Sequence, residues 1–600
     1  MTERALRWWE AHPVIVHAIL VAAVALAASA TSLTNGFAFD DIPIIEANPS
    51  VHELRAPWTH LRETYWGPSL GAGALYRPLA IFGYSLQWAV GGGSPFVFHL
   101  VNIALYVAVA VAALAMLRQL LPGAAAFVGA LLFAAHPVHV EAVGNVVGQA
   151  ELWVALAVVV SVTLYARERR HGALTRRTGA AILICYAGGL LFKEHGIVLP
   201  GLLLAIELYG RATTFTRQEG DWERARVLTL LLVLVAAVYL VARVRVLGGV
   251  TGSDTDWALR GLGVGARSLV MLGLVPEFAR LLVWPARLYA DYSPQLIQVH
   301  SQWSVAHLPG ALLLAGVVAL AIGLRRRALH VALGVTWFAC TIALVSNVPF
   351  ASGVLIAERT IFLPSLGLAL VAGPMLAWPL TQWRGAALTA ARTVVVSVLT
   401  VAVAHSAVRQ RVWEDNATLF GTLVAEAPEN FRGHFAVGEM YAIGGRFEAG
   451  DEAMQRSLAL YPEFGPARLT RARILHFRGL CNEALPEYER VLAADPEVGL
   501  AKIGRAACLV DLGQLHAARQ AAMDGLFVEG MEPAFQIIRR AADSLLMATD
   551  SADVRNRWKR EGLPFDRTGR PVRIWVIRDV PTLKPIAGRM QETRPSAYPD

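Results

Sequence analysis

The feature that most constrains this chain is a succession of apolar stretches between residues 14 and 408, separated by short polar loops. A helix needs about 20 apolar residues to cross a bilayer, or about 17 at the short end. Such stretches lie near 14–31, 97–117, 123–135, 150–166, 180–208, 227–247, 268–284, 307–324, 329–346, 360–379 and 390–408. Only 17% of the 600 residues are charged, against about 25% in soluble domains. The shortfall is confined to residues 1–410, while 411–600 read as an ordinary soluble sequence. The expected fold class is therefore all-α: a polytopic transmembrane domain over 1–410, then a soluble part. The N-terminal stretch resembles a signal peptide, but the many spans after it favour an uncleaved first span.

Basic residues set the expected orientation, because Lys and Arg collect in cytoplasmic loops. The net charge of +8 is read that way and not as a nucleic-acid signal. The dense runs are RERRHGALTRR at 167–177, the 211–226 loop and Arg325-Arg326-Arg327, with a weaker one from Arg384 to Arg392. The first two runs flank 180–208, so that segment must cross twice, turning at Lys193-Glu194-His195-Gly196. Segment 268–284 then lies on the outer face. About 11 crossings follow, in a plasma membrane, with the N-terminus cytoplasmic and the C-terminal domain outside.

That orientation gathers Asp40, Asp41, His136, His139, Glu141, Lys193, Glu194, Asp291, Glu358 and Arg359 at the outer face, the first two in an external loop over 32–77. Each alone reads as a loop residue in water. Together they read as a site, since ionisable groups at membrane depth are costly. Asp40 and Asp41 follow an apolar FAF. A carboxylate there can act as general base toward a hydroxyl or hold a divalent cation; a helix cap or a turn is the plainer reading. His136 and His139 have a metal-like spacing, but Pro137 separates them and no third ligand follows. Hydrogen bonding to a polar ligand or to the Asp loop is the preferred reading. Arg359 suits a phosphate, because its donor fork is planar and always charged. Lys193 and Arg243 add positive charge, and Arg77 lies in Tyr76-Arg77-Pro78-Leu79 where the loop returns to the membrane. The cations would hold a lipid-linked phosphate while a carboxylate activates an acceptor.

Past residue 410 the sequence repeats every 34 residues: Pro428, Pro462, Pro496; Gly445, Gly479, Gly513; Leu458, Leu492, Leu526. Tyr441, Leu475 and Leu509 keep the same register, as do Gly438, Ala472 and Ala506. This is a tetratricopeptide pattern of stacked helical hairpins, expected over 411–548. Such an array binds peptides or serves as an assembly module, and both readings stay open. Residues 549–600 form a tail of unknown fold, with one candidate strand at 572–580. Of the cysteines, Cys185 and Cys340 lie in apolar segments. Cys481 and Cys508 could pair if their domain is outside the cell; no C-x-x-C metal spacing occurs.

Taken in order, FAFDDIPIIEANPSV, YRPL, HPVHVEAV, GQAELW, FKEHGIVLP, RVRVLGG, LYADYS, SNVPF and IAERTIFLPSLG resemble the transmembrane and tetratricopeptide-repeat O-mannosyltransferase family, of the GT-C fold, in a prokaryotic form. The resemblance spans about 30–420 by motif and about 415–530 by repeats. It implies an enzyme that transfers mannose or another hexose from a polyprenyl-phosphate donor to Ser or Thr of an extracytoplasmic protein, with inversion. It makes Asp40 the catalytic carboxylate and Asp41 its neighbour and substitute. Gln149 stands where the family commonly has Arg, while Glu151 is kept, so a role for that Arg does not carry over. The partners implied are a lipid-linked sugar donor, an acceptor protein, the bilayer and no nucleic acid; no cofactor is certain and a divalent cation stays open. Two other classes remain: a non-catalytic membrane scaffold whose repeats recruit a partner, and a transporter. The latter expects polar groups at mid-membrane and repeated halves, neither of which is evident.

Overall fold

The computed structural model describes residues 12–66, 75–172, 174–213, 215, 221–249, 256–526 and 531–550. The candidate strand at 572–580 lies outside them. The chain divides into two compact units, at 422/423, a dozen residues beyond the expected boundary. The turn Arg411–Trp413 and the first half of helix Asn416–Glu426 belong to the first unit.

Among the described residues of the first unit, seven helices are long and apolar enough to cross a membrane: Pro13–Thr34, Pro95–Leu120, Val146–His171, Glu194–Thr213, Trp222–Leu247, Val305–Leu324 and Gly385–Trp413. An eighth arises if Gly123–Ala135 and Pro137–Gly144, bent by 50° at His136, count as one span. Pro137 explains the bend, because it has no N–H to continue the ladder. The three further crossings expected from sequence correspond to Arg176–Phe192, Leu329–Ala343 and Ser365–Gln382, which fall outside that set. Segment 180–208 does break in two, at Lys193, whose extended backbone (φ −158°) stops one helix before the next turn begins.

Burial separates centre from periphery. In Val146–His171, 72% of the apolar window is buried, against 6% in Gly385–Trp413. Leu312, Val398 and Val401 are among the apolar side chains left exposed, as expected of a surface meant for lipid rather than water. Charges bracket this apolar layer. At one end of Gln149–His171 stands Glu151. Eighteen residues on, Arg169 makes a two-pronged, buried bond to Glu207 (3.0 Å each), which also accepts from Tyr165 at 2.8 Å. At 1.5 Å rise per residue the two ends are about 27 Å apart, close to the thickness of a bilayer's hydrocarbon core.

The second unit is a row of helical hairpins: Phe431–Ile443 with Phe447–Leu460, Gly465–Phe477 with Cys481–Ala494, Gly499–Asp511 with Leu515–Gly525, and then Glu532–Asp550. First helices begin at 431, 465 and 499, so the 34-residue period is structural. Gly445, Gly479 and Gly513 occupy the same turn in each hairpin with φ of 72°, 78° and 73°. Only glycine takes that left-handed conformation at little cost, and the following N–H groups of Arg446, Leu480 and Gln514 reach back to Tyr441, Leu475 and Leu509.

Candidate active site

The first loop is fastened before it presents anything. Asn35 Nδ2 donates to the Gln410 carbonyl (2.8 Å), Gly36 N–H to the Glu414 carbonyl (2.8 Å) and Phe39 N–H to Asn416 Oδ1 (2.6 Å). Phe39 packs its ring on Phe420 and sits at φ 52°, a left-handed conformation that strains a non-glycine residue. Opposite, Asn102 Nδ2 gathers the carbonyls of Val143, Asn145 and Val146 at 3.1–3.3 Å. Gly148 is needed there, because a Cβ on it would stand 2.4 Å from the Ala142 carbonyl oxygen.

The two adjacent aspartates have separate tasks. Asp41 is fully buried. Its carboxylate accepts N–H bonds from Val147 (2.8 Å), Val146 (3.1 Å) and Ala38 (3.3 Å), which ties the loop to the 146–148 turn. Burial pushes this carboxyl up to about 7 against the pull of those three donors, with the charge of Asp40 adding to the push. Both its oxygens are taken, so Asp41 cannot stand in for Asp40, and the pair offers a cation one carboxylate rather than two. Asp40 is partly exposed and meets the Arg359 guanidinium at 3.3 Å.

Three ion-paired groups make up the site, and the first includes Asp40. In the first, Arg359 bridges Asp40 to Glu141, donating to Glu141 from both its backbone N–H and Nη1 at 2.8 Å. In the second, Lys193 bonds Glu151, with His195 Nδ1 at 3.6 Å from the same carboxylate. In the third, Arg77 grips Glu194 through two bonds (2.8 and 3.2 Å), and Arg243 stands 3.9 Å away. The groups lie within electrostatic reach of one another: Arg359 interacts with Glu151 and Arg77, and Lys193 with Arg77 and Glu194. Four carboxylates thus face four cations.

The remaining expected site residues serve the frame. His136 donates from Nε2 to the Leu282 carbonyl (2.9 Å) and accepts the Val138 N–H at Nδ1. His139 shares hydrogen bonds with Tyr106 Oη (3.1 Å) and Ser365 Oγ (2.9 Å). Neither ring binds the Asp loop, and neither has a nitrogen left for a metal or a polar ligand. Glu358 points away from its neighbour Arg359: its Oε1 accepts the Tyr289 N–H and the Tyr292 O–H, both at 2.7 Å. Burial pushes Glu358 up to about 8, reinforced by the charge of Glu141. Asp291 lies half-buried between those two tyrosines. Gln149 pairs its amide with Gln87 (2.8 and 3.1 Å) and donates to Asn102 Oδ1 at 2.8 Å, so a neutral network fills the place of the missing Arg.

Sequence reasoning missed Asn416, Asn102 and Tyr65. The last stacks under the Arg77 guanidinium at 5.1 Å and bonds Tyr84 Oη at 3.3 Å. The polar Asn102 inside an otherwise apolar span was the one available signal.

No family model matches the chain. Among curated proteins it is similar to human protein O-mannosyl-transferase TMTC3, 24% identical over 582 residues, covering 84% of this chain and 63% of that protein. Mouse TMTC3 is 28% identical over 380 residues (59% of this chain, 41% of the relative), and human TMTC4 is 27% identical over 482 residues (71% and 64%). The chain therefore spans less than two thirds of the length of these relatives. Over most of its own length, the chain is similar to these protein O-mannosyl-transferases, the family that its ordered motifs resemble.

Proposed function

We propose that this chain is a membrane glycosyltransferase of the GT-C type that moves a sugar, mannose or another hexose, from a polyprenyl-phosphate donor to Ser or Thr of an extracytoplasmic protein. The observation that carries the reading is the partly exposed Asp40 held on Arg359, which also holds Glu141 and lies within electrostatic reach of Glu151 and Arg77. The names of the relatives support it.

In the reaction, Asp40 takes the proton from the acceptor hydroxyl as its oxygen attacks the sugar carbon. The bond from that carbon to the phosphate oxygen breaks, the configuration inverts, and the lipid phosphate leaves with its charge on the cations. Fixed cations at a developing phosphate charge are commonly the largest single contribution, and general-base help adds roughly 10²–10⁴-fold. Because four cations already face four carboxylates, an arriving phosphate must displace one carboxylate. Asp40 is the displaceable partner of Arg359, since Glu141 holds the same Arg through two bonds. Donor binding would then free Asp40 for the acceptor, so the donor binds first. Lys193, buried against Glu151, acts through the field rather than by direct contact. The acceptor polypeptide is assigned to the helical hairpins, whose stacked first helices form a surface suited to extended peptides.

The test is sugar transfer by purified Asp40→Asn from a polyprenyl phosphate donor to a Ser/Thr peptide. A loss of about 10² or more is expected. Wild-type rates would overturn the role of Asp40, and no transfer by the wild-type chain from any polyprenyl phosphate sugar would favour the scaffold reading.

A further inference from the structure

The hairpin unit brings together four side chains that sugar transfer does not use. His476 lies in the last turn of Gly465–Phe477, Cys481 opens Cys481–Ala494, and Cys508 and Asp511 lie one turn apart on Gly499–Asp511. The ligating atoms of His476, Cys481 and Cys508 all lie within 4.8 Å of one another, and all three residues are buried. Asp511 stands beside the group. Its Oδ2 is 2.9 Å from His476 Nε2 and 3.8 Å from Cys481 Sγ. Its Oδ1 is buried without a hydrogen-bond partner, which is costly for a carboxylate, and its side chain is only 9% exposed. Tyr488 Oη steadies the imidazole from the other nitrogen at 3.5 Å.

Two sulfurs and an imidazole around one buried point are a borderline-soft donor set, with the Asp511 carboxylate beside it.

We propose that His476, Cys481 and Cys508 hold a zinc ion, with Asp511 at their side, and that this site locks the second helical hairpin to the third. Zinc binds thiolate and neutral imidazole, so the two cysteines release their protons to solvent as the metal enters. The cation then neutralises the sulfurs beside the buried Asp511 carboxylate.

The test uses the full chain, purified in detergent under reducing, chelator-free conditions and loaded with zinc before desalting. Elemental analysis should find about one zinc per chain, falling to under about a tenth of that in Cys508→Ser. Should that variant fail to fold, the wild type still decides. Cobalt in place of zinc should show thiolate-to-cobalt charge transfer and strong tetrahedral d–d bands, and mercurial blocking of the cysteines should expel the metal. A chain that retains no metal after loading, a cobalt spectrum without the thiolate band, or a Cys481–Cys508 disulfide found by peptide mapping of the freshly isolated protein would each overturn the proposal.

Discussion

Arg359 reaches Glu141 twice, with its backbone N–H and with its guanidinium, each at 2.8 Å. A lysine could keep the backbone bond but not the fork that also spans to Asp40. Arg359→Lys should therefore fold like the wild type and lose about 10²–10³-fold in transfer. Initial rates at saturating donor are the measurement; a rate within about twofold of wild type would count against the bridge.

The two aspartates should respond oppositely. Asp41→Ala leaves three N–H donors unanswered in a buried turn, at about 1–3 kcal/mol each, so loss of folded protein is expected. Asp40→Asn touches a partly exposed pair and should keep its thermal midpoint in detergent while losing transfer. Equal stability of the two variants, read by thermal unfolding, would mean that the Asp41 anchor is not what holds the loop.

Asn416→Ala removes the acceptor for the Phe39 N–H. The lost bond costs about 0.5–1.5 kcal/mol, but release of the left-handed Phe39 returns about 1 kcal/mol or more. Stability should barely move. Asp40, next along the chain, loses its aim, and kcat should fall about tenfold or more with the donor KM little changed. A KM effect without a kcat effect would contradict the positioning role.

Glu358 sets a pH dependence. Its folded value near 8 lies above the ordinary 4.5, so the folded state holds the proton more tightly. The stability this confers is full below about 4.5 and is lost as pH rises through about 8. Glu358→Gln imitates the protonated form. Thermal midpoints measured from pH 6 to 9 should decline for the wild type and flatten for the variant, and parallel curves would refute the assignment.

How much of this was legible depended on the kind of signal. The break of segment 180–208 at Lys193 followed from the two basic runs that flank it. The turn glycines 445, 479 and 513 were readable because a left-handed φ has one cheap occupant. The membership of Asp40, Glu141, Lys193 and Arg359 in one neighbourhood came from the orientation that the basic loops set. Which aspartate is free did not, because two identical side chains in sequence differ only in the direction each is turned. His136 and His139 were expected to bond a polar ligand or the Asp loop, yet the Val138 N–H, the Leu282 carbonyl and the hydroxyls of Tyr106 and Ser365 use up their nitrogens. Cys508 and Asp511 share a helix face at i, i+3, a pattern no C-x-x-C search finds.

The strap between Phe39 and Asn416 joins residues 377 positions apart. At about 5–20 residues per second of synthesis, tens of seconds separate their emergence from the ribosome. For that interval the aspartate-bearing loop has its Asp41 anchor on the 146–148 turn but not the strap that holds Phe39. The site is thus the last thing the membrane unit completes, although its key carboxylate is among the first residues made, and a chain truncated short of Asn416 would carry every charged group of the site without its assembled geometry.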